Sequence, residues 1–262
     1  MGYDYSIVKY PRTPHLQGSR LQAGDEDLSQ VSFDSILGKN IVIEEKIDGA
    51  NTAVSFDGNG NLLLQSRGHY LIGGYRERHY NLFKQWANAN VDILFEALSD
   101  RYVMYGEWMY AKHAVFYDAL PDYFMEFDVY DRENKVFLDT PSRRAITEKM
   151  GIISSVPVLG SGVYKTKESI LAHLGNSNYI TENHIDVLRL TAERLNLDVE
   201  RAVKETDPSL TMEGLYVKVE EGGIVESRLK FVRASFIQSL MQAEGHWLNK
   251  PIIPNQLKNG NF

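Results

Sequence analysis

Cysteine is absent from this chain of 262 residues. Its absence excludes disulfide bonds, zinc sites built from thiolates and catalysis by a cysteine nucleophile. The seven histidines are scattered and show no metal-ligand spacing such as H-E-x-x-H. Any metal ion must therefore be bound by oxygen or imidazole ligands.

Long apolar runs are also missing. No segment approaches the roughly 18–20 apolar residues of a membrane-spanning helix. The opening residues, MGYDYSIVKYPRTPHL, lack the apolar block of a secretory signal. We therefore expect a cytoplasmic protein that has no membrane partner.

Basic residues are outnumbered, since 28 Lys and Arg face 35 Asp and Glu for a net charge of -7. This balance argues against a uniformly basic surface for nucleic acid. Two stretches are nevertheless locally basic. The first contains Arg67, His69, Arg76, Arg78, His79 and Lys84, with Glu77 as its acidic member. The second contains Lys9, Arg12, His15 and Arg20, against Asp4. Either could bind an anionic substrate, although ordinary solvated surface charge would give the same pattern.

The composition, 43% hydrophobic and 11% aromatic, is ample for the core of one large or two small domains. Strand-like patterns begin at residue 41, and a hairpin is predicted around the turn Asp57-Gly58-Asn59-Gly60. Further strands are predicted at 101–110, 123–131, 136–138, 211–220 and 225–233. Helices are predicted at 79–100, in several segments of 141–208, and at 234–244.

This order of elements predicts an α+β fold around one or two antiparallel sheets. We expect residues 1–40 to form an N-terminal arm or loop packed on the main domain. The main domain is expected to cover residues 41–246, with a helical insertion at about 141–208. Residues 247–262 are expected to form a C-terminal tail.

Lys46 stands out because it lies between two strand-like apolar runs in IVIEEKIDGANTAVSF. Taking an ammonium group out of water costs several kcal/mol unless the group is paired or neutralised, so a lysine here needs a partner or a task. Gly49, which follows Asp48, indicates a tight backbone and a ligand that comes close.

Other predicted strands also carry charges at positions where their periodicity expects burial. These charges are Lys46, Glu107, Glu213 with Lys218, and Arg228 with Lys230. Buried charges of opposite sign that converge on a groove are suited to hold a charged ligand and its metal ion. Ion pairs between neighbouring strands would be the purely structural alternative.

The same residues carry a resemblance to a known family. In chain order the motifs are K-I-D-G (46–49), S-R (66–67), Y-G-E (105–107), E-F-D (126–128), E-G-L-Y-V-K (213–218) and R-L-K (228–230). They resemble the six nucleotidyltransferase motifs of covalent ATP-dependent ligases, which DNA ligases and RNA capping enzymes share. The K-I-D-G-A-N continuation and the Phe127-Asp128 pair are most similar to the RNA ligase family, particularly its nick-sealing branch.

The resemblance covers about residues 41–233 and implies a fold. That fold is a nucleotidyltransferase domain, an ATP-grasp-like ligase adenylation domain with antiparallel sheets flanked by helices. DNA ligases and capping enzymes append an OB-fold after the last motif, whereas only thirty-two residues follow Lys230 here. We therefore expect no OB-fold.

The resemblance also implies a nucleophile, because the motif lysine of this family attacks the α-phosphorus of ATP. That role would fall on Lys46. Only the neutral amine is nucleophilic, and at an unperturbed pKa near 10.4 roughly one lysine in a few thousand is neutral at pH 7, a deficit of about 4.6 kcal/mol. Desolvation and the cations Lys218 and Lys230 would lower the pKa of Lys46, whereas Glu44 and Glu45 would oppose this unless they turn away.

The remaining site residues follow from the same resemblance. The catalytic set is Lys46, Lys218 and Lys230, and Mg²⁺ or Mn²⁺ would be bound by Glu107 and Glu213. The ATP-binding set is Glu45, Lys46, Ile47, Arg67, Glu107, Phe127, Glu213, Lys218, Arg228 and Lys230. Phe127 offers a ring face for adenine, although plain core packing would equally account for it. Arg228 departs from the family, which usually has lysine there; arginine keeps the charge but never loses its proton.

We therefore expect an ATP-dependent RNA ligase that joins 5′-phosphate and 3′-hydroxyl RNA ends through a lysine-AMP intermediate, in RNA repair. Contacts with RNA are expected from Arg67, His69, Arg76, Arg78, Arg12 and Arg20. The alternatives are a DNA ligase or another polynucleotide adenylyltransferase, and a non-catalytic nucleotide- or RNA-binding module. The presence of Lys46, Glu107 and Glu213 argues against the module, because binding alone needs no nucleophile.

Overall fold

Two mixed but mainly antiparallel sheets form the centre of the computed structural model, which describes residues 3–21, 29–236 and 251–260. The side chain of Arg76 and most of the helix predicted at 234–244 lie outside the described residues. Within the described ranges, no helix is long and apolar enough to cross a bilayer.

Sheet A combines two short strands of the N-terminal segment with four later strands. Its strands are β1 (His15–Leu16), β2 (Gln30–Val31), β3 (Asn40–Lys46), β10 (Val158–Val163), β11 (Gly214–Glu221) and β12 (Ile224–Val232). They are ordered β10-β3-β11-β12-β1-β2. The two short strands from the N-terminal segment pair parallel to their neighbours, and the other pairs are antiparallel.

Sheet B contains the predicted hairpin. Its strands are β4 (Ala50–Phe56), β5 (Leu62–Ser66), β6 (Tyr102–Trp108), β7 (Phe124–Asp131), β8 (Val136–Phe137) and β9 (Ser154–Ser155). The order is β5-β4-β6-β7-β8, and β9 pairs parallel with β7. The hairpin β4–β5 is confirmed, with Asp57 accepting the backbone N–H groups of Asn59 and Asn61 at 2.9 Å each.

Six helices flank the sheets in the described part of the chain. They are α1 (Asn81–Ala89), α2 (Val91–Leu98), α3 (Thr140–Thr147), α4 (Lys167–Leu171), α5 (His184–Arg194) and α6 (Val199–Lys204). Short 3-10 turns lie at Phe33–Ser35, Tyr75–Tyr80 and Glu148–Met150. The α+β prediction with antiparallel sheets and helices is therefore confirmed.

Two predicted boundaries need correction. The single helix predicted over 79–100 is two helices, because Asn90 has non-helical angles (φ -113, ψ 16) and its side chain donates to the Trp86 carbonyl at 2.8 Å. The interval 141–208 is not wholly helical, since β9 and β10 lie within it. Strand β10 extends sheet A by pairing with β3.

Each face of sheet A has a different environment because side chains alternate along its strands. Ile41, Ile43 and Leu215 pack on the outer face, in a core that also contains Phe33 and Ile170. Lys46, Glu44, Tyr216 and Lys218 share the opposite face by register, since Gly214 is opposite Lys46 and Tyr216 is opposite Glu44. Burial on both faces explains why β3 lacks a simple alternation of apolar and polar residues.

Candidate active site

A cavity opens near the short connection between β3 of sheet A and β4 of sheet B. Its empty volume is about 750 Å³, including solvent at its mouth. The cavity is lined by Tyr10, Thr13, Glu44, Glu45, Lys46, Ile47, Asn51, Arg67, Glu107, Phe127, Val156, Tyr216 and Lys230. Both sheets and the N-terminal segment therefore contribute to one site.

Lys46, at the end of β3, carries an acidic partner in this cavity. Its Nζ donates to Glu213 Oε2 at 2.7 Å, and the side chains are 19% and 1% exposed. Register explains the meeting, because Gly214 lies opposite Lys46 and Glu213 directly precedes it. Burial lowers the pKa of Lys46, but the Glu213 carboxylate, followed by Asp48 and Glu107, more than offsets it, so the pKa is raised overall. The amine is therefore held in its charged form.

Asp48 anchors the segment that follows the lysine. Its Oδ2 accepts the backbone N–H groups of Ala114 and Val115 at 2.7 and 3.2 Å, while its own N–H donates to the Tyr117 hydroxyl at 2.8 Å. Burial opposes ionisation of Asp48, yet His113, then Lys46 and the Ala114 N–H, keep its pKa below the ordinary value. Asp48 thus ties the turn after Lys46 to the 113–117 loop.

Gly49 allows that turn to approach strand β6. A Cβ atom on Gly49 would lie 2.6 Å from the Met109 sulfur and 3.1 Å from the Trp108 carbonyl oxygen. The close neighbour is therefore a strand of the protein, which corrects the prediction of a closely approaching ligand. The packing brings β6, and with it Glu107, against the Lys46 segment.

Glu107 carries an unusual carboxylate. Its Oε2 is buried and accepts no hydrogen bond from the described residues, and burial raises its pKa to about 8 in spite of Lys46 nearby. A buried oxygen without a partner is costly unless a ligand uses it. Glu107 and Glu213 both influence Lys46 electrostatically, so this donor set fits a divalent ion.

A metal ion bound by Glu107 and Glu213 would need further ligands from water or substrate. Within the described residues there is no group of three or more His, Asp or Glu side chains that could hold a metal ion. Mg²⁺ usually keeps several waters and is bound by one or two carboxylates together with substrate phosphates. Two carboxylates beside a cavity are consistent with that mode of binding.

Glu44 and Glu45 line the cavity with Lys46, but their bonding partners are other residues. Glu45 accepts from the Ser177 hydroxyl and from the backbone and side-chain N–H groups of Asn178, at 2.5, 3.1 and 2.7 Å. Glu44 pairs with the fully buried Arg143. The carboxylates that raise the pKa of Lys46 are instead Glu213, Asp48 and Glu107.

A buried charge cluster lies behind the cavity and connects the two sheets. It consists of three cations and three carboxylates: Arg143, Lys218, Arg228, Glu44, Glu126 and Asp128. Lys218 Nζ is 2.9 Å from Glu44 Oε2 and 3.0 Å from Asp128 Oδ1, with no exposed surface. The formal charges balance, as buried ions require.

Two residues predicted to bind ATP belong to this cluster. Lys218 and Arg228 are outside the cavity lining. The Arg228 guanidinium lies 3.6 Å from Asp128 Oδ2 and 4.1 Å from the centre of the Phe137 ring. Their positive charges are directed at Asp128 in this structure, and their roles toward ATP stay predictions.

The remaining predicted residues divide by position. Ile47, Phe127 and Lys230 line the cavity, and Arg67 lines it from an exposed position. His69 is exposed, and Arg12 and Arg20 are exposed on the N-terminal segment. Arg78 contacts Tyr75, at the far end of the loop that begins at Arg67.

Several cavity residues were not predicted. Tyr10 and Thr13 come from a segment without periodicity, which gave no signal. The Tyr10 hydroxyl donates to Asp128 and is 2.8 Å from the Tyr216 hydroxyl, which is 2.9 Å from Thr13 Oγ1. Tyr216 could have been found, because it alternates with Lys218 along β11 and so shares its face.

A family model described as RNA ligase matches residues 39–232. This span is most of the chain and includes every motif of the resemblance. The chain therefore belongs to the RNA ligase family, as its motifs predicted. A comparison with curated proteins found no match.

Solved structures of Naegleria gruberi RNA ligase variants have a similar fold. An apo variant is 16% identical, with a TM-score of 0.56 over 93% of this chain and 61% of the other. A variant with ATP and Mn is 14% identical, with a TM-score of 0.52 over 80% of this chain and 54% of the other. A complex with pyrophosphate has a TM-score of 0.54 at 14% identity, over 93% and 61%. This chain thus spans somewhat more than half the length of these structures.

Proposed function

We propose that the chain is an ATP-dependent RNA ligase that works through an AMP group on Lys46. The observation that carries this proposal is the position of Lys46 inside the cavity, bonded to Glu213 at 2.7 Å and influenced by Glu107. A lysine there can reach a bound nucleotide, and the family supplies the reaction class. The ATP and Mn complexes of the Naegleria relative support the choice of nucleotide and ion.

The first step forms a covalent protein intermediate. The neutral Nζ of Lys46 attacks the α-phosphorus of ATP, a P–N bond forms, and the bond to the β-phosphate oxygen breaks as pyrophosphate leaves. The amine must first lose a proton, which the Glu213 ion pair opposes. Attack therefore requires Glu213 to be neutralised or moved away, since the raised pKa of Lys46 depends on that carboxylate.

Glu107 and Glu213 would hold a divalent ion, Mg²⁺ or Mn²⁺. Such an ion supplies positive charge that neutralises carboxylates and phosphates. The residues of the chain do the rest. Lys230 lines the cavity and would stabilise charge on the phosphates, and Phe127 would present its ring to adenine.

The second and third steps transfer AMP and seal the strand. An oxygen of an RNA 5′-phosphate attacks the α-phosphorus, the P–N bond to Lys46 breaks, and a pyrophosphate-linked RNA-adenylate forms. A 3′-hydroxyl then attacks the 5′-phosphorus, which forms the phosphodiester and releases AMP. Arg67 at the cavity edge would contact the 5′-phosphate. Repair of broken cellular RNA in the cytoplasm is the use that we propose.

A joining assay tests the function. Nicked duplexes with a 5′-phosphate and a 3′-hydroxyl are incubated with protein, ATP and Mg²⁺, with RNA or DNA on each side of the nick. We expect sealing when the ends are RNA, loss of sealing with Lys46→Ala or after chelation of the metal, and normal sealing with the exposed-lysine control Lys39→Ala. Sealing of DNA ends alone would contradict an RNA ligase and support a DNA ligase.

A further inference from the structure

The loop from residue 67 to residue 80, here called the basic loop, displays two large apolar side chains. Ile72 is 91% exposed and Tyr75 is 80% exposed, more than any other large hydrophobic side chain in the described ranges. Scattered exposed apolar residues are common. Two such residues, three positions apart in one loop, suggest a surface that is covered during function.

The tip of the loop is ordered by a buried carboxylate. Glu77 Oε1 accepts the N–H of Ile72 at 3.2 Å, and its Oε2 accepts the N–H of Gly73 at 2.9 Å and pairs with Lys84. The Glu77 side chain is 9% exposed. Ile72 and Tyr75 are therefore presented on a backbone that hydrogen bonds hold in place, which limits the entropy lost on binding.

The negative charge of Glu77 is buried against the loop backbone and Lys84. The charged side chains on the outer surface of the basic loop are therefore positive. The Arg78 guanidinium carbon lies 5.1 Å from the centre of the Tyr75 ring, and its NH1 donates to the Tyr75 hydroxyl at 2.5 Å. At the other end, Arg67 lines the cavity and His69 is exposed. An aromatic ring beside an arginine therefore shares one loop with the edge of the nucleotide cavity.

We propose that the basic loop binds the RNA strand through an unpaired base that stacks on Tyr75 and contacts Ile72, with Arg78 on a neighbouring phosphate. Aromatic rings with adjacent cations bind single strands because every base offers a π-face and every linkage a negative charge. A base inside a duplex has both faces covered, so an unpaired base fits an exposed ring better. The inference rests on the proposed function, because it takes RNA as the substrate.

The charge distribution favours RNA over a protein partner. The chain as a whole carries a net charge of -7, yet Arg67, His69 and Arg78 belong to the same loop. This loop is continuous with the cavity through Arg67, so a strand bound along it leads toward Lys46. A bound RNA end would thus be held at the site where AMP is transferred.

Substitution of the ring tests the proposal. Fluorescence anisotropy with a 5′-phosphorylated single-stranded RNA, without ATP, gives the Kd for each variant. We expect Tyr75→Ala to raise the Kd about 5- to 100-fold and Tyr75→Phe to stay near the parent value, since stacking needs the ring. The control is Leu190→Ala, which removes another exposed apolar side chain (53%) on α5. A Tyr75→Ala Kd equal to that of the parent overturns the proposal.

Two further readouts make the result specific. With a fully paired blunt duplex, Tyr75→Ala should bind within about twofold of the parent; an equal loss on both RNAs overturns the assignment to an unpaired base. Arg78→Ala should reduce the salt slope of log Kd by about one, whereas the exposed α5 arginine control Arg194→Ala should not.

Labelling with ATP in the absence of RNA separates this inference from the proposed function. Tyr75→Ala should take up AMP as fast as the parent, because the loop tip is outside the cavity lining. A parent protein that takes no label contradicts the proposed function and leaves the RNA-binding measurement as the test of the loop. A parent that is labelled, with unchanged RNA binding by Tyr75→Ala, contradicts the loop alone.

Discussion

Lys46 is charged in this structure, whereas the proposed chemistry needs its amine to be neutral. The Glu213 carboxylate at 2.7 Å stabilises the ammonium form more than burial destabilises it. In the proposed mechanism, this arrangement would keep the amine unreactive until nucleotide and metal change the surrounding charges. The raised pKa of Glu107, about 8, belongs to the same group of interacting charges.

Arg143 is, with Lys218, one of the two fully buried cations of the charge cluster. It has no exposed surface and pairs with Glu126 at 2.8 Å and with Glu44. The contact with Arg143 gives the Glu44 carboxylate a cationic partner other than Lys46. A residue outside the motifs therefore balances an acidic charge in the lining of the cavity.

Removing Arg143 is predicted to be strongly destabilising. Arg143→Met removes the arginine partner of Glu126 and one of the two cations paired with Glu44, the other being Lys218. Breaking a buried charge pair by removing one partner costs about 3–5 kcal/mol. Urea unfolding should show a loss of this size. The adjacent Arg144→Met should cost less than about 1 kcal/mol, because Arg144 donates a long bond of 3.3 Å to a carbonyl. Equal losses for the two variants would contradict the cluster as described.

Sequence patterns singled out several motif residues that the structure brings together, and the roles of these residues stay predictions. Lys46, Glu107, Phe127 and Lys230 all line the cavity. Patterns could not predict residues whose position depends on tertiary packing. Tyr10 reaches the cavity from a segment without periodicity.

Among the helices and strands, those set by local sequence were predictable, whereas those set by contacts distant in sequence were not. The β4–β5 hairpin was predictable because its turn chemistry is local, with Gly60 at φ 78 and Asp57 accepting backbone N–H groups. The helix break at Asn90 and the strand β10 were not predictable from the sequence. Strand β10 carries Gly160 and Gly162, which disfavour a strand, and it forms because β3 offers an edge.

Glu220 connects β11 to the start of α3 and gives the structure a dependence on pH. Its Oε1 accepts the N–H and hydroxyl of Thr140 at 3.0 and 2.6 Å. Burial raises the pKa of Glu220 from its ordinary value of 4.5, although the Thr140 contacts partly oppose this.

The folded state therefore holds the Glu220 proton more tightly than the unfolded chain does. The resulting stability is complete below pH 4.5 and is lost as pH rises through the raised pKa. Glu220→Gln keeps an oxygen for Thr140 and cannot ionise. In thermal unfolding, its stability relative to the parent should increase as pH rises above 4.5. Curves that stay parallel would contradict this role.

The whole molecule is organised so that neither sheet alone forms the site. Lys46 and Lys230 come from sheet A, Glu107 and Phe127 from sheet B, and Tyr10 from the N-terminal segment. The overall α+β architecture was predictable because it follows from the order of elements. A groove was inferred from the charges on the predicted strands, whereas the meeting of the two sheets around it was not predicted and depends on tertiary packing.

A ligand that bridges both sheets should stabilise the whole fold. With Mg²⁺ and a non-transferable α,β-methylene analogue of ATP at 100 times its Kd, the free energy of unfolding should rise by about 2.7 kcal/mol. Phe127→Leu loses the ring face but keeps an apolar side chain. This variant should need more analogue for the same increase in the free energy of unfolding. No change in the melting temperature at any analogue concentration would contradict nucleotide binding in the cavity.

The most direct test of the account is to locate AMP on the protein. After incubation with ATP and Mg²⁺, intact mass followed by peptide mapping should find one AMP, on the peptide that contains Lys46. Lys46→Arg, which keeps the charge but not the nucleophile, should carry none, and Lys39→Ala should be labelled like the parent. An unmodified parent protein, or AMP attached to a different residue, would contradict the assignment of Lys46 as the nucleophile.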